Sequence, residues 1–443
     1  MIKNIRFIVL FLVAVSASAV VMAQSTATTS SPYSKYGLGL LSNGTLPQTT
    51  AMGGIATGIN RISGYNNINS QNPASYSFIN FTTIDVGLYS AFTTLNQTGQ
   101  DAQKNSNFRL SHIAFAIPVS KKSALSFGLQ PYSELGYNYV QTKSNLGTTL
   151  PSDTNAVNNI YSGDGGLSKA YLGYGFHLIK GLYLGANVSY IFGNLQQYRS
   201  VEIPNLYGNL NSRIEESNQV HGINYDFGAQ YSIDLKEDTH LTFGYSGSAS
   251  TNLKSTNRYV ASLYQKDFTT GDEGVAADTI VNQTQTGAKI KLPLINHFGF
   301  TFQKDNKFLV GADYSTGKWS SLSIAGVNQD LQNTQSLNVG GQFTPDANQL
   351  HNYFARIDYR LGFNYQKTYV NIESTNINQK AVTFGFGFPL APNNQGLSFY
   401  KINFAAEIGQ RGTLANSLIK ENFYNFHIGF TLNDKWFRKY RFD

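Results

Sequence analysis

Residues 383–388 read Thr-Phe-Gly-Phe-Gly-Phe, with three phenylalanines at alternate positions. Successive residues of a β-strand point to opposite faces, so this stretch has one apolar face and one small or polar face. The same alternation follows at residues 401–409, where Ile402, Phe404 and Ile408 alternate with polar or small residues. In a soluble sandwich the apolar face would pack into a core, whereas in a transmembrane barrel it faces lipid and the polar face lines the lumen.

From Phe81 to Asn433 the chain continues this alternation in about fourteen segments, separated by connectors that alternate short and long. Short periplasmic turns and longer extracellular loops are typical of outer-membrane barrels. The pattern therefore predicts an all-β protein, a transmembrane antiparallel barrel of about fourteen strands over residues 81–433. The predicted strands are 81–95, 107–119, 123–141, 165–178, 181–199, 218–234, 239–258, 283–302, 307–321, 334–344, 354–371, 378–389, 398–411 and 420–433. Long loops are predicted at about 142–164, 200–217, 259–282 and 322–333, and the medium connectors 345–353 and 390–397 leave the count open by two.

Charged residues occur on the polar face of the predicted strands, which favours the barrel over a soluble β-sandwich or propeller. Ions buried in a dry core must be paired, while a hydrated lumen accepts charges of both signs. Charged residues make up only 13% of the chain, against about 25% in ordinary soluble domains. The candidate lumen charges are Arg356, Asp358, Arg360, Lys401 and Glu407. They are expected either to hold an N-terminal plug or to pair across neighbouring strands.

The first 23 residues are predicted to be a secretory signal peptide. Lys3 and Arg6 precede the apolar run 7–15, and Val21-Met22-Ala23 gives the small-residue cleavage pattern. An uncleaved membrane anchor is the alternative, but the apolar run is too short to span a bilayer. The formal net charge of +7 falls to +5 without the signal's two cations. We expect this small positive charge to lie on solvated loops and the tail, and we predict no nucleic-acid partner.

Residues 24–80 are rich in Ser, Thr, Asn and Gly and lack regular alternation, so they are predicted to precede the barrel as a separate unit. A barrel of about fourteen strands encloses a lumen that side chains alone do not fill. We therefore expect this stretch to fold into the lumen as a hatch, with Gly53-Gly54 allowing close packing and Asn72-Pro73-Ala74 a rigid turn. A disordered periplasmic tail is the alternative.

Gly53-Gly54 followed by Asn72-Pro73-Ala74, directly before the first strand, resembles the N-terminal hatch of FadL-type outer-membrane transporters of hydrophobic compounds. The rest of the mature chain resembles a Bacteroidota branch of that superfamily. The runs that carry this resemblance are 31–34, 128–133, 312–314, 318–320, 409–413, 418–422 and 429–437. Membership implies a fourteen-stranded barrel, an N-terminal hatch and residence in the outer membrane of a Gram-negative bacterium.

Pro131 lies inside the third predicted strand, where its missing amide proton forces a bulge or a break in strand pairing. In FadL-like proteins a kink in the third strand makes a lateral opening through which the ligand leaves into the membrane. The resemblance therefore implies a lateral gate at Gly128, Pro131 and Gly136. A local bulge without an opening is the alternative.

Motifs for catalysis and metal binding are weak in this sequence. Cysteine is absent, the seven histidines show no metal-ligand spacing, and no nucleophile elbow or phosphate-binding loop occurs. We predict no catalytic residues, no metal and no cofactor, although a triad assembled from different strands stays open. The basic and aromatic residues 434–443 are predicted to form a periplasmic tail at the membrane interface.

The sequence therefore predicts passive uptake of a hydrophobic small molecule, such as a long-chain fatty acid, through a hatch-gated lumen with lateral exit. The first alternative is a non-transporting barrel subunit of a larger outer-membrane complex, serving protein secretion or outer-membrane biogenesis. The second alternative is an open porin for hydrophilic solutes. Expected partners are outer-membrane lipid, a hydrophobic ligand and, for the subunit, other proteins of the complex.

Overall fold

A computed structural model describes residues 31–62, 65–144, 155–206, 208–391 and 398–435. The predicted signal peptide, residues 1–23, and residues 436–443 of the predicted tail lie outside the described residues. In the described part, fourteen antiparallel strands, numbered β1–β14, form one closed sheet. Their bounds are Thr82–Asn96 (β1), Gln103–Ser120 (β2), Ser123–Lys143 (β3), Val157–Ile179 (β4), Leu182–Glu202 (β5), Asn211–Lys236 (β6), Thr239–Ser248 with Asn252–Lys266 (β7), Glu273–Lys291 with Ile295–Lys304 (β8), Phe308–Gly317 (β9), Thr334–Phe343 (β10), Asp358–Ile372 (β11), Thr375–Pro389 (β12), Ser398–Gly412 (β13) and Lys420–Asp434 (β14).

Pairing of the last strand with the first closes the barrel. β14 and β1 pair in unbroken register from Lys420 opposite Asn96 to Asp434 opposite Thr82. β7 and β8 are each interrupted by three residues, and β6 pairs with both halves of β7. The predicted fourteen-stranded barrel is therefore confirmed.

The barrel wall carries its apolar side chains on the outside. Leu361 and Phe363 of β11 are exposed, whereas Asp358 and Arg360 on the other face of the same strand are buried. On β12, Thr383, Gly385 and Gly387 face inward and the phenylalanines between them are half-buried. This inverted arrangement is that of a barrel whose outer face contacts lipid and whose inner face is polar. In the described residues no helix is long and apolar enough to cross a membrane.

Two details of the predicted boundaries are wrong. The predicted loops 200–217 and 259–282 are mostly paired hairpin, because β5, β6, β7 and β8 continue beyond their apolar portions. These extensions mix apolar and polar residues without a regular period of two, so they lack the alternation that marks a strand in the sequence. The predicted strand 354–371 begins only at Asp358, because Tyr353–Arg356 forms a 3-10 turn capped by Asn352.

The residues before β1, numbers 31–81 and here called the N-terminal segment, contain short elements only. They are the 3-10 turns Pro32–Lys35 and Pro73–Phe78, the helix Pro47–Thr50, and the two-residue strands Leu40–Leu41, Arg61–Ile62 and Tyr65–Asn66. Most of these residues are buried, and their partners are inward-facing residues of strands around the barrel. A disordered tail therefore does not describe residues 31–62 and 65–81.

Candidate functional site

Two sets of wall glycines give the N-terminal segment close contact with the barrel. Gly175, Gly185 and Gly228 are directly opposite one another on β4, β5 and β6. A Cβ atom on any of them would lie less than 3.0 Å from Asn72 or Pro73, a separation that real Cβ atoms essentially never show. Only glycine therefore lets the Asn72-Pro73 turn lie against this part of the wall.

The second glycine set lies on the far side of the barrel. Gly340 of β10 is opposite Gly362 of β11, and a Cβ on either would clash with the backbone of Met52 or Gly53. Gly53 has φ +74°, and a Cβ atom at this position would clash with the backbone of Phe363 and Val339. Its N–H donates to Thr383 Oγ1 at 2.8 Å. The predicted pair Gly53-Gly54 thus lies at a tight contact, and Gly54 (φ +82°) completes the turn.

Asp313 of β9 is the most heavily used polar anchor of the segment. Its Oδ2 accepts hydrogen bonds from the N–H of Ala56 (2.7 Å), the N–H of Thr57 (2.8 Å) and the hydroxyl of Thr57 (2.9 Å). A carboxylate with backbone donors is a strong, directional acceptor. Asp313 was not among the predicted site residues, although the alternation places it on the polar face of a predicted strand.

Asn72 links the turn at Pro73 to an earlier part of the segment. Its Nδ2 donates to the carbonyl of Thr57 at 2.7 Å, and its Oδ1 accepts from the N–H of Ala74 at 3.2 Å, capping the turn that starts at Pro73. The predicted motif Asn72-Pro73-Ala74 is fully buried in this position. The motif therefore fixes a turn and binds it to the wall.

Asp358, Arg360 and Lys401 form one buried ion network across β11 and β13. Asp358 Oδ2 contacts Arg360 Nη2 at 2.9 Å and Lys401 Nζ at 2.8 Å. Arg360 also donates to Gln342 Oε1 (2.7 Å) and Asn403 Oδ1 (2.8 Å), so every charge has partners. These three residues pair across strands, and the network reaches the segment where Lys401 Nζ lies 3.8 Å from the ring centroid of Tyr65.

The other two candidate lumen charges differ from this trio. Glu407 of β13 accepts from Asn425 of the neighbouring β14 (2.9 Å) and from Asn364 of β11, two strands away (3.1 Å). Arg356 lies in the turn before β11, half-buried with its guanidinium 6.0 Å from the Tyr353 ring, so its placement on a lumen-facing strand is wrong. The first residues of the predicted strand 354–371, including Arg356, lie in a turn capped by Asn352.

A buried apolar cluster joins the N-terminal segment to one end of the barrel. Leu38 of the segment packs with Trp319, Leu322 and Leu331 from the connector between β9 and β10, and with Tyr369 of β11, all at most 8% exposed. The Tyr369 hydroxyl also donates to the carbonyl of Gly39. Side chains buried this completely pack at the density of a protein interior.

In the described residues, strand pairing at the β2–β3 junction of the wall is incomplete. β2 and β3 pair from Ser120 opposite Ser123 only to Ile113 opposite Leu129. Beyond that point β2 pairs only with β1, and β3 pairs with β4 as far as Lys143 with one bulge next to Pro131. Gly128 therefore lies in the last paired stretch of the β2–β3 junction, and Pro131 directly beyond its end.

The N-terminal segment occupies the free edge of β3 at this junction. Leu40 and Leu41 pair with Glu134 and Ser133 as a short added strand. The Gly136 carbonyl accepts from the N–H of Ser31 at 2.9 Å, and Gly136 also exchanges hydrogen bonds with the Ser34 hydroxyl. An ion pair between Arg109 of β2 and Glu134 of β3 bridges the two strands. The edge is thus covered by the chain itself.

The cavities beside the segment have mixed or polar linings. One of about 170 Å³ is bordered by Lys169, Asp226 and His297 together with Ile295 and Trp319, and one of about 160 Å³ by Arg109, Glu134, Glu407, Arg411 and Glu421. Lys169 Nζ and Asp226 Oδ2 are paired at 2.6 Å, and Arg411 pairs with Glu421 at 2.9 Å. The charged lining of the second cavity suits water or ions, whereas the first offers both polar and apolar surface.

A wider cleft of about 670 Å³ lies at the extracellular end of the β2–β3 junction, bordered by Tyr33, Tyr36 and Tyr139. Lys35 donates to the Tyr139 hydroxyl at 3.1 Å, and burial together with nearby Arg199 lowers the pKa of Lys35. Within the described residues no group of three His, Cys, Asp or Glu side chains is arranged to hold a metal ion.

Comparison with known proteins supports both the fold and a family. The family model BamG matches residues 1–443. The toluene transporter TbuX of Ralstonia pickettii superposes with a TM-score of 0.58 at 16% identity, covering 88% of this chain and 99% of that one. The toluene transporter TodX of P. putida gives 0.58 at 15% identity, covering 88% and 98%. A FadL homologue of Pseudomonas aeruginosa gives 0.53 at 13% identity, covering 87% and 96%. The fold is thus that of FadL-type outer-membrane channels for hydrophobic compounds, while no curated protein matches the chain.

Proposed function

This chain belongs to the BamG family, and from that premise we propose that it is a closed, non-transporting barrel subunit of a larger outer-membrane complex in a Bacteroidota-type bacterium. In this role residues 24–80 are a fixed hatch. The predicted sites Gly53, Gly54, Asn72, Pro73 and Ala74 attach it, and the lumen charges Asp358, Arg360, Lys401 and Glu407 stiffen the wall around it.

The observation that supports this proposal is the packing of the N-terminal segment inside the barrel at two levels. The apolar cluster around Trp319 and Leu38 would block the extracellular end, and the glycine-lined contacts with Asn72 and Gly53 hold the segment against opposite sides of the wall. Opening a path would expose buried apolar residues and break the Asp313 hydrogen bonds together. A passive channel would have to draw the free energy for such a change from ligand binding, whereas a structural subunit does not require the change.

Purification from the native outer membrane tests the proposal. An affinity-tagged chain extracted in mild detergent should retain partner proteins at fixed stoichiometry, and the purified barrel should give no conductance above background in planar bilayers. Recovery of the chain alone, carrying an apolar compound identified by mass spectrometry, would contradict it.

Uptake of a hydrophobic small molecule is the second candidate, and the incomplete β2–β3 junction favours it. Residues 103–112 of β2 and 130–143 of β3 do not pair with each other, so Gly128, Pro131 and Gly136 border a candidate lateral exit. The comparison structures include toluene transporters, which makes a small apolar compound the ligand class to test. Under this candidate, radiolabelled toluene should enter cells faster with the chain than without it.

The two candidates differ in what the N-terminal segment must do. A disulfide that locks the segment to the wall should leave a structural subunit functional and should stop uptake. Leu40 and Glu134 are suitable positions for the paired cysteines, because they lie directly opposite each other in the added strand. Cysteine is otherwise absent from the chain, so the lock forms without competing thiols.

A further inference from the structure

The cleft at the extracellular end of the β2–β3 junction lies close to the expected membrane surface. Phe92 of β1, Phe108 of β2 and Tyr424 of β14 are exposed on the outer face of the barrel. Outward aromatic residues near the ends of barrel strands form the girdles that mark the membrane interfaces. The cleft begins beyond them, at Leu95 and Gln103, closer to the extracellular ends of β1 and β2. It therefore lies at the level of the headgroups of the outer leaflet.

One side of this cleft is the gap in the barrel wall. Residues 103–112 of β2 and 137–143 of β3 do not pair with each other, and Val140 borders the cleft on the β3 side. The opposite side is formed by Pro32 and Tyr36 of the N-terminal segment. Because the gap is in the wall, a molecule in the outer leaflet can reach the cleft without passing through the lumen.

The polar lining of the cleft consists mainly of amides. The side-chain amides that border it are those of Asn96, Gln97, Gln100, Gln103, Asn138 and Gln141. Each amide has two N–H donors and one carbonyl acceptor, and Asn138 and Gln141 are exposed. In the described structure, residues 137–143 of β3 pair with β4 alone, so their edge adds main-chain donors and acceptors. The cleft thus offers donors and acceptors side by side.

Aromatic and aliphatic surface lies between these polar groups. Tyr36 and Tyr139 are half-buried at the cleft, and its aliphatic lining includes Leu95, Val140, Ile372, Leu418 and Ile419. Tyr139 is held by stacking on Tyr161, with ring centroids 5.1 Å apart, and by the hydrogen bond from Lys35. A sugar ring has the matching division, because its C–H faces are apolar and its hydroxyls both donate and accept hydrogen bonds.

The same lining disfavours other classes of ligand. The charged side chains that border the cleft are Lys35 and Asp101, which have opposite signs, so a strongly anionic or cationic ligand gains little. A pure hydrocarbon would cover the amides and the β3 edge without giving them hydrogen-bond partners, which is costly. A polyhydroxylated ligand without strong net charge therefore fits best.

We propose that this cleft binds the sugar portion of an outer-leaflet glycolipid, which enters through the gap between β2 and β3 while its acyl chains stay in the membrane. In a Gram-negative outer membrane, the lipid of that leaflet with a sugar headgroup is lipopolysaccharide. The volume of about 670 Å³ is in the range of small-molecule sites. The gap toward the membrane favours a glycolipid over a free oligosaccharide. The site goes beyond the proposed subunit role and does not depend on it.

Binding of the membrane's own glycolipid tests the proposal. The probes are the lipopolysaccharide extracted from the native outer membrane, the oligosaccharide released from it by mild acid, and phosphatidylethanolamine, which has acyl chains but no sugar. Each is titrated onto the full chain in a detergent without a sugar headgroup, and bound molecules are detected by native mass spectrometry. We expect saturable binding of lipopolysaccharide, weaker competition by the released oligosaccharide, and no saturable binding of phosphatidylethanolamine.

A pair of substitutions in the lining tests the position of the site. Asn138→Leu combined with Gln141→Leu removes two amides at exposed positions and should weaken lipopolysaccharide binding by about tenfold or more. Asn282→Leu combined with Gln285→Leu makes the same changes at the same spacing on the exposed β7–β8 hairpin, away from the cleft, and should leave the affinity unchanged. Heat-modifiable migration on gels verifies that each variant is folded.

Four results would overturn the proposal. They are no binding of lipopolysaccharide, equal binding of phosphatidylethanolamine, which would show recognition of acyl chains, and an affinity that the cleft variant does not change or that the control variant lowers equally. The fourth is binding of the released oligosaccharide as tightly as lipopolysaccharide, which would identify a free glycan as the ligand. Co-purification of partner proteins with the cleft variant is measured separately, so the subunit role can stand where this site fails.

Discussion

The β14–β1 junction and the β2–β3 junction join neighbouring strands of the same barrel in different ways. The first is paired along the whole length of both strands, from Lys420 to Asp434. The second stops at Leu129, and beyond it the N-terminal segment and the Arg109–Glu134 ion pair take the place of the ladder. Both strands of the incomplete junction are long enough to continue pairing, so length does not end the ladder.

The difference shows that the segment and the wall complete each other. A free strand edge in a membrane leaves backbone groups without partners, at a cost of several kcal/mol for each. Leu40, Leu41 and Ser31 supply partners to β3 at Glu134, Ser133 and Gly136. The β2–β3 junction should therefore depend on how firmly the segment is held elsewhere, while the β14–β1 junction should not.

The largest effect is expected from Gly362→Val on β11, on the far side of the barrel. The new side chain would occupy the position of the Gly53 backbone, and overpacking typically costs about 1–3 kcal/mol or more. The segment should leave the wall, which exposes Lys35 to trypsin and increases amide exchange in β3 but not in β14. Peptide mapping with hydrogen–deuterium exchange measures both.

Leu361→Val is the control for Gly362→Val, because Leu361 is 64% exposed on the outer face of the same strand. It should leave Lys35 as resistant to trypsin as in the unmodified protein. If the β3 amides of Gly362→Val exchange as slowly as in the unmodified protein, the β2–β3 junction does not depend on the segment. That result would contradict the comparison.

Asp313→Ala should have the next largest effect. It leaves the N–H groups of Ala56 and Thr57 and the Thr57 hydroxyl without their acceptor in a buried site. Unsatisfied buried donors cost roughly 1–3 kcal/mol each, less where water enters. The rate of trypsin cleavage at Lys35 should rise by at least about tenfold, which is 1.4 kcal/mol. Asp313→Asn keeps an oxygen acceptor of the same shape and should show a clearly smaller increase.

Alternation in the sequence was sufficient to predict the barrel because lipid imposes it on every strand that crosses the membrane. The run 383–388 and its equivalents therefore located all fourteen strands, although β4, β6, β7 and β8 extend seven to ten residues beyond a predicted end. The alternation ends where the strands leave the membrane, so the extensions of β7 and β8 beyond it were predicted to be loops. Arg356 was misplaced for a similar reason, since a turn capped by Asn352 has no signal in a period-two count.

The contacts of the N-terminal segment were only partly predictable. Gly53, Gly54 and Asn72 could be selected because glycine pairs and Asn-Pro turns have local backbone causes. Asp313 and the wall glycines 175, 185 and 228 act through partners far away in the sequence, and no local pattern identifies such partners. The same limit applies to Arg109 and Glu134, whose pairing depends on the β2–β3 ladder having already ended.

A smaller effect is expected from breaking the Arg109–Glu134 pair. Both side chains are mostly buried, with 20% and 12% exposed, so the coupling should lie between surface and fully buried pairs, at roughly 1–2 kcal/mol. A double-mutant cycle with Arg109→Ala and Glu134→Ala, read by amide exchange in residues 103–112, measures it. The Lys304–Asp238 pair, with 47% and 49% exposed, is the control and should couple clearly less, because water screens exposed charges. Equal coupling of the two pairs would mean that the ion pair does not hold the junction.

The smallest effect is expected from Pro131→Ala. Restoring an amide proton removes one obstacle to pairing, but the segment still covers the neighbouring β3 edge from Tyr132 to Gly136. The β2–β3 ladder should therefore still end near Leu129, and stability should change by less than about 1 kcal/mol, mainly through the unfolded chain. Amide exchange at residues 130–134 and 107–112 distinguishes the causes. If alanine makes these amides as protected as those of the β14–β1 junction, the proline itself ends the ladder and the segment only fills a gap that Pro131 created.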